Sequence, residues 1–143
     1  MKIVTKKLGL APTLSAFGLA ALTLLIFTML RNYGPESVLR RFHEVIARDQ
    51  RSLLGRYVIF QNPSYLLPQE GQMLQEVEEA THMGAYQIIG VTEGPTSATA
   101  RAEVAYEVPG SPPDHQTWIL VRTRYGWMID LPETLQYRSI LRF

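Results

Sequence analysis

The chain has 143 residues, of which 46% are apolar and 19% charged. That is too apolar for a disordered chain, and the length suits a single domain. The net charge of +1 hides a segregation: all three lysines, Lys2, Lys6 and Lys7, lie in the first seven residues, while residues 31–143 carry 11 Arg against 13 acids, a net of −2. No strongly basic face is left for nucleic acid. The absence of cysteine excludes a disulfide framework, zinc-thiolate and iron–sulfur sites and a cysteine nucleophile, and leaves the compartment open.

Leu8–Leu30 is 23 residues without a charge. Roughly 20 such residues cross a ~30 Å hydrocarbon core, so residues 8–30 are expected to form a transmembrane helix after a basic head at 1–7. A cleaved signal peptide, cut near Gly18-Leu19-Ala20, competes with this reading. It fits less well, because the apolar run continues from Leu22 to Leu30. The cluster Lys2, Lys6 and Lys7 favours a cytoplasmic N-terminus. A single-pass protein of the cell membrane is therefore expected, with its C-terminal domain periplasmic or extracytoplasmic. Ser15 and Gly18 narrow one side of the helix, where another membrane helix could approach; small residues are also simply common in such spans.

Residues 31–34 form a short linker, and Pro35 suits the first position of a second helix. Val38, Leu39, Phe42, Val45 and Ile46 then fall on one helical stripe, with Glu36–Arg40 and Glu44–Arg48 as i,i+4 pairs. This helix is expected over Pro35–Asp49. Asn62, Pro63, Ser64 and Pro68 mark an irregular connection. A further helix is expected over Gln72–Met83, with Met73, Leu74, Val77 and Ala80 inward, Glu76, Glu78 and Glu79 outward and Gly84 as its stop.

Alternation replaces helical spacing after Gly84. Strands are expected at Tyr86–Thr92, Thr96–Val108, Thr117–Thr123 and Trp127–Leu131, the last two joined by the turn Arg124-Tyr125-Gly126. In the longest strand Ala98, Ala100, Ala102, Val104, Tyr106 and Val108 share one face, and Arg101, Glu103 and Glu107 the other. The fold class is thus α+β: one N-terminal transmembrane helix, then a domain (residues 35–132) of two helices packed on a four-stranded antiparallel sheet, with residues 133–143 as a tail.

The helix Pro35–Asp49, the long strand Thr96–Val108 and the closing hairpin Trp118–Asp130 resemble the cystatin-like α+β cone of the nuclear-transport-factor-two-like superfamily, over roughly Pro35–Pro132. The resemblance implies a curved sheet around a helix, often with a pocket in the cone. Some members are isomerases, dehydratases or cyclase-like enzymes and many others only bind partners, so fold alone does not choose.

Catalytic candidates are His43, His82, His115, Asp49 and Asp130, and no two of them form a motif whose spacing requires them to meet. A core or solvated role is expected for His43, a Glu78–His82 surface contact for His82, exposure for His115 and a turn or cap role for Asp130. No His-x-x-x-His, haem-attachment or phosphate-loop motif occurs. Glu70, Glu76, Glu78 and Glu79 read as a charged solvent face. No catalytic residue, cofactor or metal is expected.

Partner binding is the better-supported expectation. Tyr125 and Trp127 flank the hairpin turn beside Arg122 and Arg124, and aromatic residues and Arg are enriched at interfaces; for Trp127 taken alone, a core position on the last strand is the stronger reading. The tail residues Tyr137, Arg138, Ile140, Leu141 and Phe143 alternate apolar and cationic groups that could lie along a subunit or the headgroup layer. The expected function is a non-catalytic accessory or stabilising subunit of a larger membrane complex of respiratory, photosynthetic or secretion type. Its partners would be other membrane subunits and the bilayer, not nucleic acid. The alternative is a tethered domain binding a small apolar ligand in a cone lined by Tyr86, Tyr106 and Trp118, more remotely an isomerase or hydratase.

Overall fold

The computed structural model describes Leu10–Arg138. Lys2, Lys6 and Lys7 and the tail positions Ile140, Leu141 and Phe143 lie outside the described residues. The chain divides into two compact units, with the boundary between Asn32 and Tyr33.

The first unit is built on helix α1 (Leu10–Tyr33). Pro12 sits in its first turn, where a missing N–H removes no helical hydrogen bond. Within it, Pro12–Met29 is long and apolar enough to cross a membrane, and none of that stretch is buried. Leu14, Phe17, Leu19 and Phe27 are all more than half exposed. The hydroxyls of Thr23 and Thr28 donate back to the carbonyls of Leu19 (2.8 Å) and Leu24 (2.5 Å), so both are satisfied inside the helix.

Gly34 alone separates α1 from α2 (Pro35–Ala47). Pro35 occupies the first helical position, and the expected stripe Val38, Leu39, Phe42, Val45 and Ile46 is buried. A Schellman closure ends the helix: Asp49 N–H donates to Ile46 O and Gln50 N–H to Val45 O. Asp49 takes the left-handed conformation (φ 56°) that glycine usually fills in this motif. A 3-10 turn, Arg51–Arg56, leads to the two-residue strand β1 (Val58–Ile59).

Helix α3 runs Pro68–Met83, four residues longer at its start than expected. Pro68 opens the helix rather than preceding it, because a proline at the first position is already held at helical φ. Met73, Val77 and Ala80 are buried as expected. Strands β2 (Ala85–Glu93), β3 (Thr99–Glu107), β4 (Asp114–Thr123) and β5 (Gly126–Asp130) follow. The short helix α4 (Leu131–Leu135) is capped by Asp130, whose carboxylate accepts from Glu133 N–H at 3.2 Å.

The sheet has five strands in the order β1-β5-β4-β3-β2. It is mixed, not the expected four-stranded antiparallel sheet. β2, β3, β4 and β5 pair antiparallel in sequence, but β1 adds to β5 in parallel, with Val58 opposite Ile129 and Ile59 opposite Asp130. Two residues carry no alternation, so this strand had no period to reveal it.

Along β3, Ala100, Ala102, Val104 and Tyr106 are buried while Arg101, Glu103 and Glu107 are exposed. Packing of α2 and α3 against the buried sheet face brings Leu39, Phe42, Met73, Val77, Trp118 and Leu120 into one core.

Candidate functional site

Two places in the second unit combine polar chemistry with apolar walls. One is the ring cluster between α2 and the sheet. His43, on the buried stripe of α2, is fully buried, as are Trp118 on β4 and, to within 1%, Tyr106 on β3. Its imidazole stacks on Tyr86 with ring centroids 4.0 Å apart and meets Phe42 edge-on at 5.2 Å.

Both ring nitrogens are engaged: Nδ1 with Leu39 O and Nε2 with the Tyr106 hydroxyl, each at 2.7 Å. A carbonyl can only accept, so Nδ1 carries the proton, Nε2 accepts and Tyr106 donates. Burial lowers the His43 pKa to about 4, against a smaller opposing effect of the Leu39 carbonyl. Burial likewise raises the Tyr106 phenol far above its usual range, opposed by the neighbouring Trp118 indole. The Trp118 N–H itself has no partner within hydrogen-bond geometry.

The Tyr86 phenol is also raised, first by burial. The pair is therefore neutral at pH 7, with no nitrogen lone pair left to take a proton from a substrate. The rings expected to line a cone pocket, Tyr86, Tyr106 and Trp118, instead gather around His43.

The second place is a cleft of about 330 Å³ between the end of α2, the 3-10 turn, the loop after β1 and the start of α3. Its walls include Ile46, Leu54, Phe60, Leu66 and Leu74, and Arg51 and Glu78 are ion-paired beside it. Glu70 holds the loop wall. It is fully buried, and its Oε1 accepts from Gln61 N–H at 2.8 Å; Oε2 has no hydrogen-bond partner. Glu70 had been expected on a solvent face. The early start of α3 turns it inward instead, a position that the α3 boundary drawn from sequence could not supply.

Of the remaining candidates, Asp49 and His82 come together on the surface, while His115 and Asp130 stand apart. Asp49, Glu78 and His82 place one ligand atom each within 4.8 Å of one another. The expected Glu78–His82 contact is replaced: Glu78 pairs with Arg51, and His82 Nε2 lies 3.8 Å from Asp49 Oδ1. The Arg51 guanidinium brings a positive charge to this trio, so no metal role is assigned to it. His115 is exposed and Asp130 is a helix cap.

Of the expected partner residues, Ser15 and Gly18 are exposed on α1. At the hairpin, Tyr125 is 86% exposed, but Trp127 belongs to the core at 7%. Period-two alternation turns Trp127 inward with Ile129, which removes it from an exposed docking face. Arg122 covers its ring at 5.5 Å, and Arg124 lies 5.7 Å from the Tyr125 ring. Arg138 pairs with Glu76 on α3, and Arg101 lies over the Tyr137 ring at 4.8 Å. Both tail residues are thus engaged by the domain itself. Ile140, Leu141 and Phe143 lie outside the described residues.

No family model matches the chain, and no curated protein matches it. Among solved structures, it is similar to a Campylobacter jejuni protein described as an NTF2-like transpeptidase, at 15% identity and a TM-score of 0.44, over 68% of this chain and 97% of that one. It is also similar to the intermembrane space region of the chloroplast protein ARC6, at 12% identity and a TM-score of 0.39, over 66% of this chain and 88% of that one. Likeness at this level carries no argument about activity, and the α+β assignment rests on the sheet order and helix packing described above.

Proposed function

We propose that the chain is a non-catalytic, single-span membrane protein that serves as an accessory or stabilising subunit of a larger membrane complex, with an extramembrane domain of the nuclear-transport-factor-two-like kind. The observation that carries this reading is α1: an 18-residue apolar stretch, Pro12–Met29, with no part of it buried. A helix apolar on all sides is stable in lipid or against other apolar helices, not in water. Only residues 30–34 lie between this stretch and α2, a reach of no more than ~18 Å when fully extended. A domain held that close meets partners in or beside the same bilayer.

The lysine head favours the orientation with the N-terminus cytoplasmic. Against a catalytic reading stands His43, the only buried histidine among the described residues, with both nitrogens already hydrogen-bonded within the domain. The expected contact surfaces are the Ser15–Gly18 side of the span and the exposed hairpin tip with Arg122, Arg124 and Tyr125.

Extraction tests the anchor: the chain should stay in membranes washed with alkaline carbonate and leave them only with detergent. Purification in mild detergent should then recover defined membrane subunits with it. Recovery of the full-length chain from the aqueous fraction, or purification without any stoichiometric companion, overturns the reading.

A further inference from the structure

We propose that the cleft beside the 3-10 turn binds the alkyl chain of a single-chain anionic amphiphile, such as a long-chain fatty acid, with its acidic head held at Arg51. The cleft is preformed. Glu70 takes the Gln61 N–H, and the Asn62 side chain accepts from Ser64 N–H at 2.8 Å, so the loop wall is fixed at both its start and its bend.

That fixed loop leaves Tyr65 61% and Leu66 50% exposed at an apolar opening, although the unit buries most of its other large apolar side chains. The volume of about 330 Å³ lies at the lower end of the ~300–1,000 Å³ typical of small-molecule sites.

The walls also select the class of ligand. They come from helical segments (Ile46, Arg51, Leu54, Leu74 and Glu78) and from the loop 60–66, and none of the lining residues belongs to a strand. An extended peptide entering here would find no sheet edge to pair its N–H and C=O groups, and leaving them buried without partners is unfavourable. An alkyl chain brings none. At the rim, the Arg51 side chain is 69% exposed and engages Glu78 through one nitrogen, Nη2. A guanidinium has five N–H donors, so a carboxylate or phosphate head can share it without breaking that pair.

The proposal rests on the anchor reading only for the source of the amphiphile. If the chain is membrane-bound, the surrounding bilayer supplies it.

The full chain, reconstituted in phosphatidylcholine nanodiscs, would be photolabelled with a diazirine-bearing palmitic acid and mapped by mass spectrometry. Adducts are expected in the segments 60–66 and 71–78, falling at least fivefold with excess oleate and with the cleft-filling variant Leu74→Trp. Leu66→Asp, at an exposed position that should fold normally, should lower them to the same extent. Arg51→Gln should reduce labelling by the acid more than by the matching alcohol.

Labelling by a diazirine lysophosphatidic acid as well would identify a single-chain membrane lipid as the source, and labelling by the acid alone a free fatty acid; equal labelling by a diazirine phosphatidylcholine, a two-chain zwitterion, overturns the assignment. Adducts confined to residues 12–29, or cleft adducts indifferent to both Leu74→Trp and Leu66→Asp, overturn the proposal. So does a cleft that stays unlabelled yet becomes shielded when a co-purifying subunit is present, which assigns it to protein docking. Carbonate extraction and subunit recovery are separate readouts, so failure here is distinguishable from failure of the accessory-subunit reading.

Discussion

The Tyr106 hydroxyl donates to His43 Nε2 across 2.7 Å, joining residues 63 positions apart in the centre of the core. Because Nδ1 is committed to the Leu39 carbonyl, the imidazole is held as one neutral tautomer. A polar pair thus clamps α2 to β3 where an all-apolar core would leave that register unmarked.

The clamp makes stability depend on pH. His43 has a folded pKa of about 4 against 6.5 when free, so below pH 6.5 the unfolded chain binds a proton that the folded chain refuses. Its contribution is complete above about pH 6.5, is lost as pH falls toward about 4, and changes little below that. The whole effect is on the order of 3 kcal/mol. Thermal unfolding of the detergent-solubilised chain should show its midpoint falling across this window. His43→Gln should flatten the fall, and an identical profile in that variant would remove His43 as the cause.

Tyr106→Phe deletes the donor and leaves Nε2 buried and unpaired, with a loss of about 1–3 kcal/mol. It should also raise the His43 pKa little or not at all, because burial remains the dominant influence. Denaturant titration reads the first effect and the imidazole proton resonances read the second.

Trp127 and Tyr125 should separate stability from recognition. Trp127→Ala empties a core position and should cost about 3–5 kcal/mol. Tyr125→Ala, at a residue 86% exposed, should leave the unfolding midpoint within a degree or two and, under the proposed accessory-subunit role, act only on recovery of partner subunits. Equal destabilisation by the two substitutions would contradict the opposite facing of these side chains.

Gly84 ends α3 where the chain passes β3. A Cβ there would sit 1.8 Å from the Glu107 carbonyl oxygen, a backbone atom that cannot swing aside. Gly84→Ala should therefore destabilise by about 1–3 kcal/mol. Asp49→Gly should do the reverse and stabilise by on the order of 1 kcal/mol, since Asp49 holds the left-handed position of the Schellman closure. Paired melting curves check both, and a stabilising Gly84→Ala would show that the α3–β3 approach is looser than this geometry.

Local patterns carried much of this architecture. The uncharged run at the start, the stripe Val38–Ile46 and the alternation of Ala100, Ala102, Val104 and Tyr106 each repeat at the spacing of one secondary structure. They could therefore be read without knowing what lies opposite. Trp127 shows where such reading stops: an aromatic beside an Arg-rich turn suits a core best but also a docking face, and strand register decides by turning it inward.

The same limit explains the rest. β1 spans two residues and exists only because β5 offers a parallel edge. Glu70 looks like one acid among several until α3 begins at Pro68 and buries it. His43 becomes a clamp only once Tyr106 arrives from 63 residues away. Composition and period thus determined that this chain joins an apolar helix to an α+β domain, because those properties belong to neighbouring residues. Which polar groups meet in the core, which acid is hidden and where an apolar cleft stays open were decided by tertiary structure, because each depends on contacts between segments that the linear order keeps apart.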